Sequence, residues 1–219
     1  RGEAHHGVEH HVRARVGGYH GEPLRAGDRI PAVRTAALRG ELTIDPIALD
    51  TSAPIRILRG PQADHFSATA LACFHTATFL VSAQSDRMGY RLTGPRIHAA
   101  RGHNIISDGV VPGAIQIPGS GHPIAMLADH QTTGGYPKIA IIASPDLRRI
   151  AQRRSGEPVR FEAISIEMAQ DLLRAHFRTL RETSHRVRPH TRTTGWIDNL
   201  SHVNLAGAAV SAQDPFSWA

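Results

Sequence analysis

Short apolar runs separated by Gly, Pro and polar residues make up most of the chain, and several of them alternate with period two. Residues 55–58 alternate in this way and stop at Gly60 and Pro61, as a half-buried β-strand does before a turn. The repetition of this pattern predicts a protein built mainly of strands. We expect strands within residues 24–33, 55–58, 78–81, 85–92, 114–117, 123–129, 137–143 and 159–164, and a small strand or helix at residues 200–212.

Three segments have apolar residues at helical spacing behind a capping residue. Ser67 is a favourable N-cap for a helix of about ten residues. Ser144, followed by Pro and Asp, predicts a helix that runs to about Arg154, and Ser165 predicts a longer one. The expected apolar faces are Ala70, Leu71 and Phe74 in the first helix and Ala169, Leu172, Leu173, His176, Phe177 and Leu180 in the third. The fold class that follows is mostly β of the α+β type: an open or closed β-barrel with two or three covering helices.

Residues 107–143 combine three of these strands with an unusual density of polar side chains. The order of strands and turns predicts a β-meander, in which polar residues at strand ends converge on one rim of the sheet. Gly134 and Gly135 can adopt positive φ and expose successive amides to an anion. The alternative is a plain hairpin loop whose Thr hydroxyls bond to its own backbone. The polar positions concerned are Asp108, Gln116, Asp129, Gln131, Thr132, Thr133 and Lys138.

Lys138 is the single lysine beside 24 arginines. Lysine and arginine differ in shape, in hydration and in their ability to lose a proton, so this position is the best candidate for a functional side chain. Asp86 and Arg87 form either an ordinary loop ion pair or contacts to a substrate.

Composition narrows the possible classes of protein. A chain of 219 residues with 41% hydrophobic content can bury a core without metal or disulfide support. Cys73 is the single cysteine, which excludes an internal disulfide and favours a cytoplasmic location. We expect no metal site, no membrane association and, because the arginines that give the net charge of +6 are scattered, no nucleic-acid binding.

Four ordered motifs carry a resemblance to the biotin-dependent carboxyltransferase family, which includes 5-oxoprolinase subunits and the carboxyltransferase part of urea amidolyase. The resemblance covers residues 16–180, with small departures at Arg59, His122 and His130. It implies a cyclophilin-like barrel at residues 54–183, the tail of a preceding subdomain and a linker at residues 1–53, and a basic linker and C-terminal segment at residues 184–219, with the family's N-terminal part absent. The motifs are Gly60-Pro61-Gln62-x-Asp64-x-Phe66, Ser82-x-Gln84-Ser85-Asp86-Arg87-Met88-Gly89-Tyr90-Arg91-Leu92, Ser107-Asp108-Gly109-x-Val111-Pro112-Gly113-x-Ile115-Gln116 and Leu127-Ala128-Asp129-x-Gln131-Thr132-Thr133-Gly134-Gly135-Tyr136-Pro137-Lys138.

The resemblance also implies an activity. The favoured interpretation is a subunit of a 5-oxoprolinase complex that, with A-type and B-type subunits and at the expense of ATP, converts 5-oxo-L-proline to L-glutamate. The alternatives are the carboxyltransferase component of a biotin-dependent urea carboxylase and a non-catalytic partner that antagonises a kinase inhibitor. Lys138 and Asp108 are the expected catalytic residues: the lysine would stabilise a developing oxyanion or phosphoryl charge, and Asp108 or Asp86 would serve as a base or as the partner of the lysine. The expected substrate-binding residues are Gln116, Gln131, Thr132, Thr133, Gly134, Gly135, Tyr136, Asp86 and Arg87.

Overall fold

The computed structural model describes residues 25–29, 42–45 and 49–189. These residues fall into two compact units, one with residues 25–29 and 49–182 and one with residues 42–45 and 183–189. In the small unit, strand β1 pairs antiparallel with β12. The strands are β1 Leu42–Thr43, β2 Ile55–Arg59, β3 Phe79–Val81, β4 Gly89–Thr93, β5 Asp108–Gly109, β6 Ala114–Gln116, β7 Ile124–Met126, β8 Thr133–Gly134, β9 Lys138–Ile142, β10 Pro158–Val159, β11 Phe161–Ala163 and β12 Arg188–Pro189. The helices are α1 Ala68–Thr76, α2 Leu147–Ala151 and α3 Ile166–Thr183, with short 3-10 turns at Ala63–His65, Ser144–Asp146 and Ser184–Arg186.

Eight strands of the large unit form one sheet in the order β10-β3-β4-β7-β6-β9-β2-β11. All neighbours are antiparallel except β2 and β11, which are parallel. The two outer strands, β10 and β11, are separated in the chain by Arg160 alone, so the two edges of the sheet come together there. The result is a nearly closed barrel with helices, which confirms the predicted fold class.

The core lies inside this barrel. Ile55 and Ile57 of β2 are buried, while Arg56 and Leu58, which alternate with them, are partly exposed, as the period-two pattern predicts. Phe74 of α1 stacks on Phe161 of β11 with 4.9 Å between ring centroids. Further fully enclosed side chains are Phe79, Leu92, Ile97, Ile115, Ile117, Ile139, Ile142 and Ile150.

Two of the three helices, α1 and α3, agree with the helices predicted from the sequence. The Ser67 hydroxyl accepts a hydrogen bond from Ala70 N, and α1 covers the predicted residues. Ser165 accepts from Met168 N at the start of α3, whose predicted apolar stripe is half-buried, with Phe177 and Leu180 more exposed.

The predicted helix from Ser144 to Arg154 is wrong in its cap and its length. A 3-10 turn precedes α2, no side chain caps it, and α2 ends at Ala151. The Asp146 carboxylate is fully buried instead and binds Arg56 and Arg149, which lie 2.5 Å and 2.8 Å away. This buried carboxylate joins the segment to β2, because its partner Arg56 lies 90 residues away in the chain.

Two strand predictions are also wrong in detail. Residues 159–164 are not one strand, since β10 and β11 lie at opposite edges of the sheet. The predicted meander would place β9 beside β7, but β9 pairs with β6 and β2. The connection from β7 therefore crosses β6, and its short strand β8 pairs with β5 in a separate two-stranded ribbon.

Of the predicted strand at residues 24–33, only the turn is among the described residues: Asp28 N donates to Arg25 O over 3.1 Å, and Gly27 has φ of 97°. The segment 200–212 lies outside the described residues.

Candidate functional site

One row of side chains crosses four adjacent strands of the barrel. Arg91 of β4 is paired in register with Ile124 of β7, Ile124 with Gln116 of β6, and Gln116 with Lys138 of β9. Residues directly opposite each other in antiparallel strands point to the same side of the sheet. The neighbouring residues Ile115 and Ala125 belong to the core, so the row lies on the outer face of the barrel.

The ribbon of β5 and β8 covers part of this outer face. A side chain at Gly134 would place its Cβ 2.5 Å from Gln116 Nε2, so only glycine lets the ribbon lie this close. Val110 N donates to Thr132 O over 2.9 Å, and Ile105 N donates to Gly135 O over 2.8 Å. As a consequence Gln116 and Lys138 are 1% and 2% exposed, although they face away from the core.

Lys138 and Asp108 are in direct contact beneath the ribbon. Lys138 Nζ donates to Asp108 Oδ2 over 2.5 Å and to Gly109 O over 2.9 Å. Hydrogen bonds from Lys138, Gln62 and the Gly109 amide, in that order, lower the pKa of Asp108 below its ordinary value. The predicted convergence of Asp108, Gln116 and Lys138 is therefore confirmed, though on a covered sheet face at the strand ends rather than on an open rim.

Gln62 completes this cluster and was not among the predicted site residues. Its Nε2 donates to Asp108 Oδ2 over 3.1 Å, and its Oε1 accepts from Lys138 N over 3.2 Å. Gly60 brings this segment against β9, because a Cβ there would overlap the Lys138 carbonyl oxygen. The sequence signal was the Gly60-Pro61-Gln62 motif, whose spacing says nothing about a partner 76 residues away.

A cavity of about 460 Å³ opens beside the covered part of the row. Lys138, Asp108 and the ribbon residues 132–135 are not among its lining residues. Gln116 Nε2 is buried and has no hydrogen-bond partner among the described residues. The cavity is lined by Asp86, Met88, Gly89, Arg91, Gln116, Pro118, Gly119, Ser120, Ile124, Met126, Gln131 and Tyr136.

Asp86 and Arg87 have different surroundings. Asp86 Oδ1 accepts from Met88 N over 2.9 Å and from Gly89 N over 3.3 Å, so it shapes the loop before β4 while lining the cavity. Arg87 binds Asp129 at 2.9 Å and lines a second, more apolar cavity, which Asp86 also lines, but it does not line the first one. The geometry therefore keeps Asp86 near the row and removes Arg87 from it.

The predicted anion-binding glycine pair does not form. Gly134 is a strand residue paired with Asp108, and neither Gly134 nor Gly135 has positive φ. Thr132 contributes its backbone carbonyl to the ribbon, and Thr132 and Thr133 are exposed. The carbonyl oxygens of Thr132 and Gly135 accept hydrogen bonds from Val110 N and Ile105 N, so the segment pairs with its neighbours instead of forming a concave glycine turn.

The described residues contain neither a cluster of metal ligands nor a membrane-spanning helix. Across residues 25–29, 42–45 and 49–189, no three His, Cys, Asp or Glu side chains lie close enough to hold a metal ion. No helix within those residues is long and apolar enough to cross a bilayer.

Comparison with known proteins identifies the family. Residues 6–163 match the model of the carboxyltransferase domain, subdomains A and B. The chain is 37% identical over 74% of its length to the C-type subunit of 5-oxoprolinase from Haemophilus influenzae, covering 52% of that protein. It is 35% identical over 72% of its length to the corresponding 5-oxoprolinase subunit of Escherichia coli, covering 51% of it. The chain thus spans about half the length of these curated relatives.

A solved structure shows the same fold. The crystal structure of the K. lactis urea amidolyase superposes with a TM-score of 0.58 at 21% identity, over 68% of this chain and 10% of that one. At this identity the likeness concerns the fold alone, and it agrees with the cyclophilin-like barrel expected from the sequence. On the family model and the ordered motifs together, the chain belongs to the carboxyltransferase domain family.

Proposed function

We propose that this chain is part of a C-type subunit of a 5-oxoprolinase complex and that its outer sheet face binds 5-oxo-L-proline. The names of its two bacterial relatives support this substrate. In the overall reaction water adds to the lactam carbonyl, the ring C–N bond breaks, and the ring nitrogen takes a proton to become the amine of L-glutamate. A second water is consumed when ATP gives ADP and phosphate.

One observation carries the proposal: Gln116 lines the cavity, and its Nε2, which lies beside Gly134 under the ribbon, is buried and has no hydrogen-bond partner among the described residues. A buried donor without a partner costs about 1–3 kcal/mol. A substrate carbonyl that reached Nε2 would remove this cost, and Gln131 and Tyr136 on the same cavity add further amide and hydroxyl groups. A lactam, which has one donor and one acceptor side by side, suits such a wall.

Lys138 is the group that we assign to charge stabilisation. Its ammonium donates to Asp108 and Gly109, and its third N–H has no partner among the described residues. Lys138 does not itself line the cavity, but it is in register with Gln116 and is buried, so its charge lies behind the Gln116 side of the cavity in a water-poor setting. Such a charge stabilises a developing oxyanion.

Asp108 then acts as the counter-ion of Lys138 rather than as the general base. Its lowered pKa makes it a weaker base than an ordinary carboxylate at neutral pH. Asp86, which lines the cavity, is better placed to take a proton from the substrate or from water. Thr132, Thr133, Gly134 and Gly135 contribute by holding the ribbon.

ATP and the partner subunits belong to the complex. The cavity has Arg91 as the single basic residue among its described lining residues and no glycine-rich phosphate loop, so it does not fit a triphosphate. We therefore assign ATP to partner subunits of the A and B type and place no step of its chemistry on this chain.

The test is 5-oxo-L-proline-dependent ATP hydrolysis by the chain together with A- and B-type subunits. Each component alone serves as a control, and urea replaces 5-oxo-L-proline in a parallel series. We expect turnover with all three components and 5-oxo-L-proline, and none with the chain alone. Activation by urea and bicarbonate instead would support the urea carboxylase alternative. Binding of the B-type subunit without any turnover would support a regulator.

A further inference from the structure

The outer face of the sheet carries a cationic side chain, Arg91, that has no role in the reaction described above. Arg91 lies at the far end of the row from Lys138, on β4, and its side chain lines the cavity. Within the described part of the chain its guanidinium makes no hydrogen bond or ion pair. By contrast Arg56 of β2 and Arg149 of α2 both form ion pairs with Asp146.

We propose that Arg91 binds the carboxylate of the substrate and thereby selects a lactam acid over a neutral amide. This inference rests on the proposed function and deepens it. A guanidinium binds a carboxylate through two parallel hydrogen bonds, which fix its orientation as well as its charge. Asp86, the acidic residue on the same cavity, already accepts two backbone amides through Oδ1.

The spacing within the row fits such a ligand. Ile124 of β7 is in register with Arg91 on one neighbouring strand, β4, and with Gln116 on the other, β6. Neighbouring strands lie about 4.8 Å apart, so the two backbones are separated by about 10 Å. In 5-oxo-L-proline the carboxylate and the lactam carbonyl flank the ring nitrogen on opposite sides. The ring can therefore lie over Ile124 with its carboxylate toward Arg91 and its carbonyl toward Gln116 and Lys138.

The charge of the substrate's carboxylate also distinguishes a lactam acid from urea. Urea carries no carboxylate, and burying part of its surface beside an unpaired guanidinium would gain nothing from Arg91. A hydrogen-bonded charge typically contributes about 1.5–3 kcal/mol, which corresponds to about 10- to 100-fold in affinity. The preference for a lactam acid over the matching neutral lactam should be of this size.

The experiment compares three ligands with wild-type protein and the Arg91→Gln variant. The ligands are 5-oxo-L-proline, its neutral amide 5-oxo-L-prolinamide, and 2-pyrrolidinone, which has neither group. Dissociation constants are measured by calorimetry on the chain in complex with its partner subunits. Arg96→Gln is the matched control, because Arg96 is exposed in the loop that follows β4 and does not line the cavity.

We expect Arg91→Gln to weaken 5-oxo-L-proline binding by about 10- to 100-fold while leaving both neutral lactams within about twofold. Arg96→Gln should leave all three unchanged. Equal effects of Arg91→Gln on acid and neutral lactams, or no effect on either, would overturn the role of Arg91 while lactam binding itself still supports the proposed function. Absence of lactam binding by wild-type protein would overturn both.

Discussion

Lys138 Nζ and Asp108 Oδ2 lie 2.5 Å apart, and they join the end of β9 to the ribbon that covers it. The lysine side chain is 3% exposed and the aspartate side chain 51% exposed. The ammonium, which water hardly reaches, therefore depends on the carboxylate to balance its charge, whereas the carboxylate is also hydrated. A buried charge that loses its partner is strongly destabilised. The pair therefore has a structural task, which is to hold the ribbon, besides the catalytic one that we propose.

Asp108→Asn should lower both the melting temperature and the turnover of the complex. The amide keeps the shape of the side chain but removes the negative charge opposite Lys138, so the ribbon loosens and the ammonium is displaced. Thermal unfolding and steady-state kinetics measure the two effects. Asp64→Asn is the matched control, since Asp64 pairs with Arg101 where both side chains are more than half exposed. Equal, small changes in both variants would contradict a special role for Asp108.

The pH dependence of this contribution follows from the lowered pKa of Asp108. The unfolded state binds the proton first as pH falls, near the ordinary value of 3.8. The stability that Asp108 adds is therefore complete above about pH 5 and is lost as pH falls through the lower folded-state pKa. The difference in melting temperature between wild type and Asp108→Asn should be constant from about pH 5 to 8 and shrink below about pH 4. A difference that grew on acidification would have the wrong sign.

Lys138→Arg tests shape at constant charge. The larger, planar guanidinium does not fit the enclosed site without moving Gly109 or Asp108, and overpacking of this kind costs about 1–3 kcal/mol. Losing a correctly placed oxyanion donor costs about 10²–10³ in turnover. We expect a loss of this size at a temperature where unfolding curves show the variant fully folded. Near-normal turnover of the folded variant would remove Lys138 from the catalytic residues.

Two glycines of the ribbon, Gly134 and Gly109, differ in the space around them and provide a test variant and its control. A Cβ at Gly134 would meet Gln116 Nε2 at 2.5 Å and Val110 Cγ2 at 3.1 Å, whereas a Cβ at Gly109, on the paired strand, would meet nothing within 4 Å. Gly134→Ala should cost about 1–3 kcal/mol and weaken lactam binding, because it displaces Gln116. Gly109→Ala should stay within about 0.5 kcal/mol of wild type. Chemical unfolding and calorimetry distinguish these outcomes, and equal effects of the two substitutions would show that the ribbon does not press on Gln116.

Asp146 is the predicted weak point of the barrel itself. Burial, the largest single effect, raises its pKa, but the hydrogen bonds and charges of Arg56 and Arg149 outweigh this, and the pKa is lowered overall. Arg149 also donates to the carbonyls of Asp50, Ala53 and Pro54, so the pair anchors the segment before β2. Asp146→Asn should cost about 3–5 kcal/mol in the free energy of unfolding. Asp171→Asn, which breaks an exposed pair within α3, should be nearly silent. A silent Asp146→Asn would refute the assignment.

The sequence predicts those features that depend on neighbours in the chain. Alternation identified β2 through Ile55 and Ile57, and local capping identified Ser67 and Ser165. Prediction from the sequence failed where contacts with residues far away in the chain determine the local structure. Asp146 is held by an arginine 90 residues away, and β9 pairs with β6 rather than with the strand before it.

The same distinction applies to the site. The motifs pointed to Lys138, Asp108 and Gln116, which the fold brings together. They could not show that Arg87 turns to Asp129, that Gln62 bridges the ion pair, or that Arg91 shares a row with Gln116. Each of these facts depends on contacts between segments far apart in the chain, which no local spacing encodes.

The most direct test of the outer-face site is nuclear magnetic resonance of the isotope-labelled chain, alone and with its partner subunits, during titration with 5-oxo-L-proline. The side-chain amide of Gln116 reports on the cavity, and the backbone amide of Ala151 reports on the second cavity. We predict saturable shifts of the Gln116 and Gln131 side-chain amides and of the Gly134 backbone amide, with Ala151 unchanged. Shifts centred on Ala151, or saturable binding that leaves Gln116 unmoved, would contradict the site.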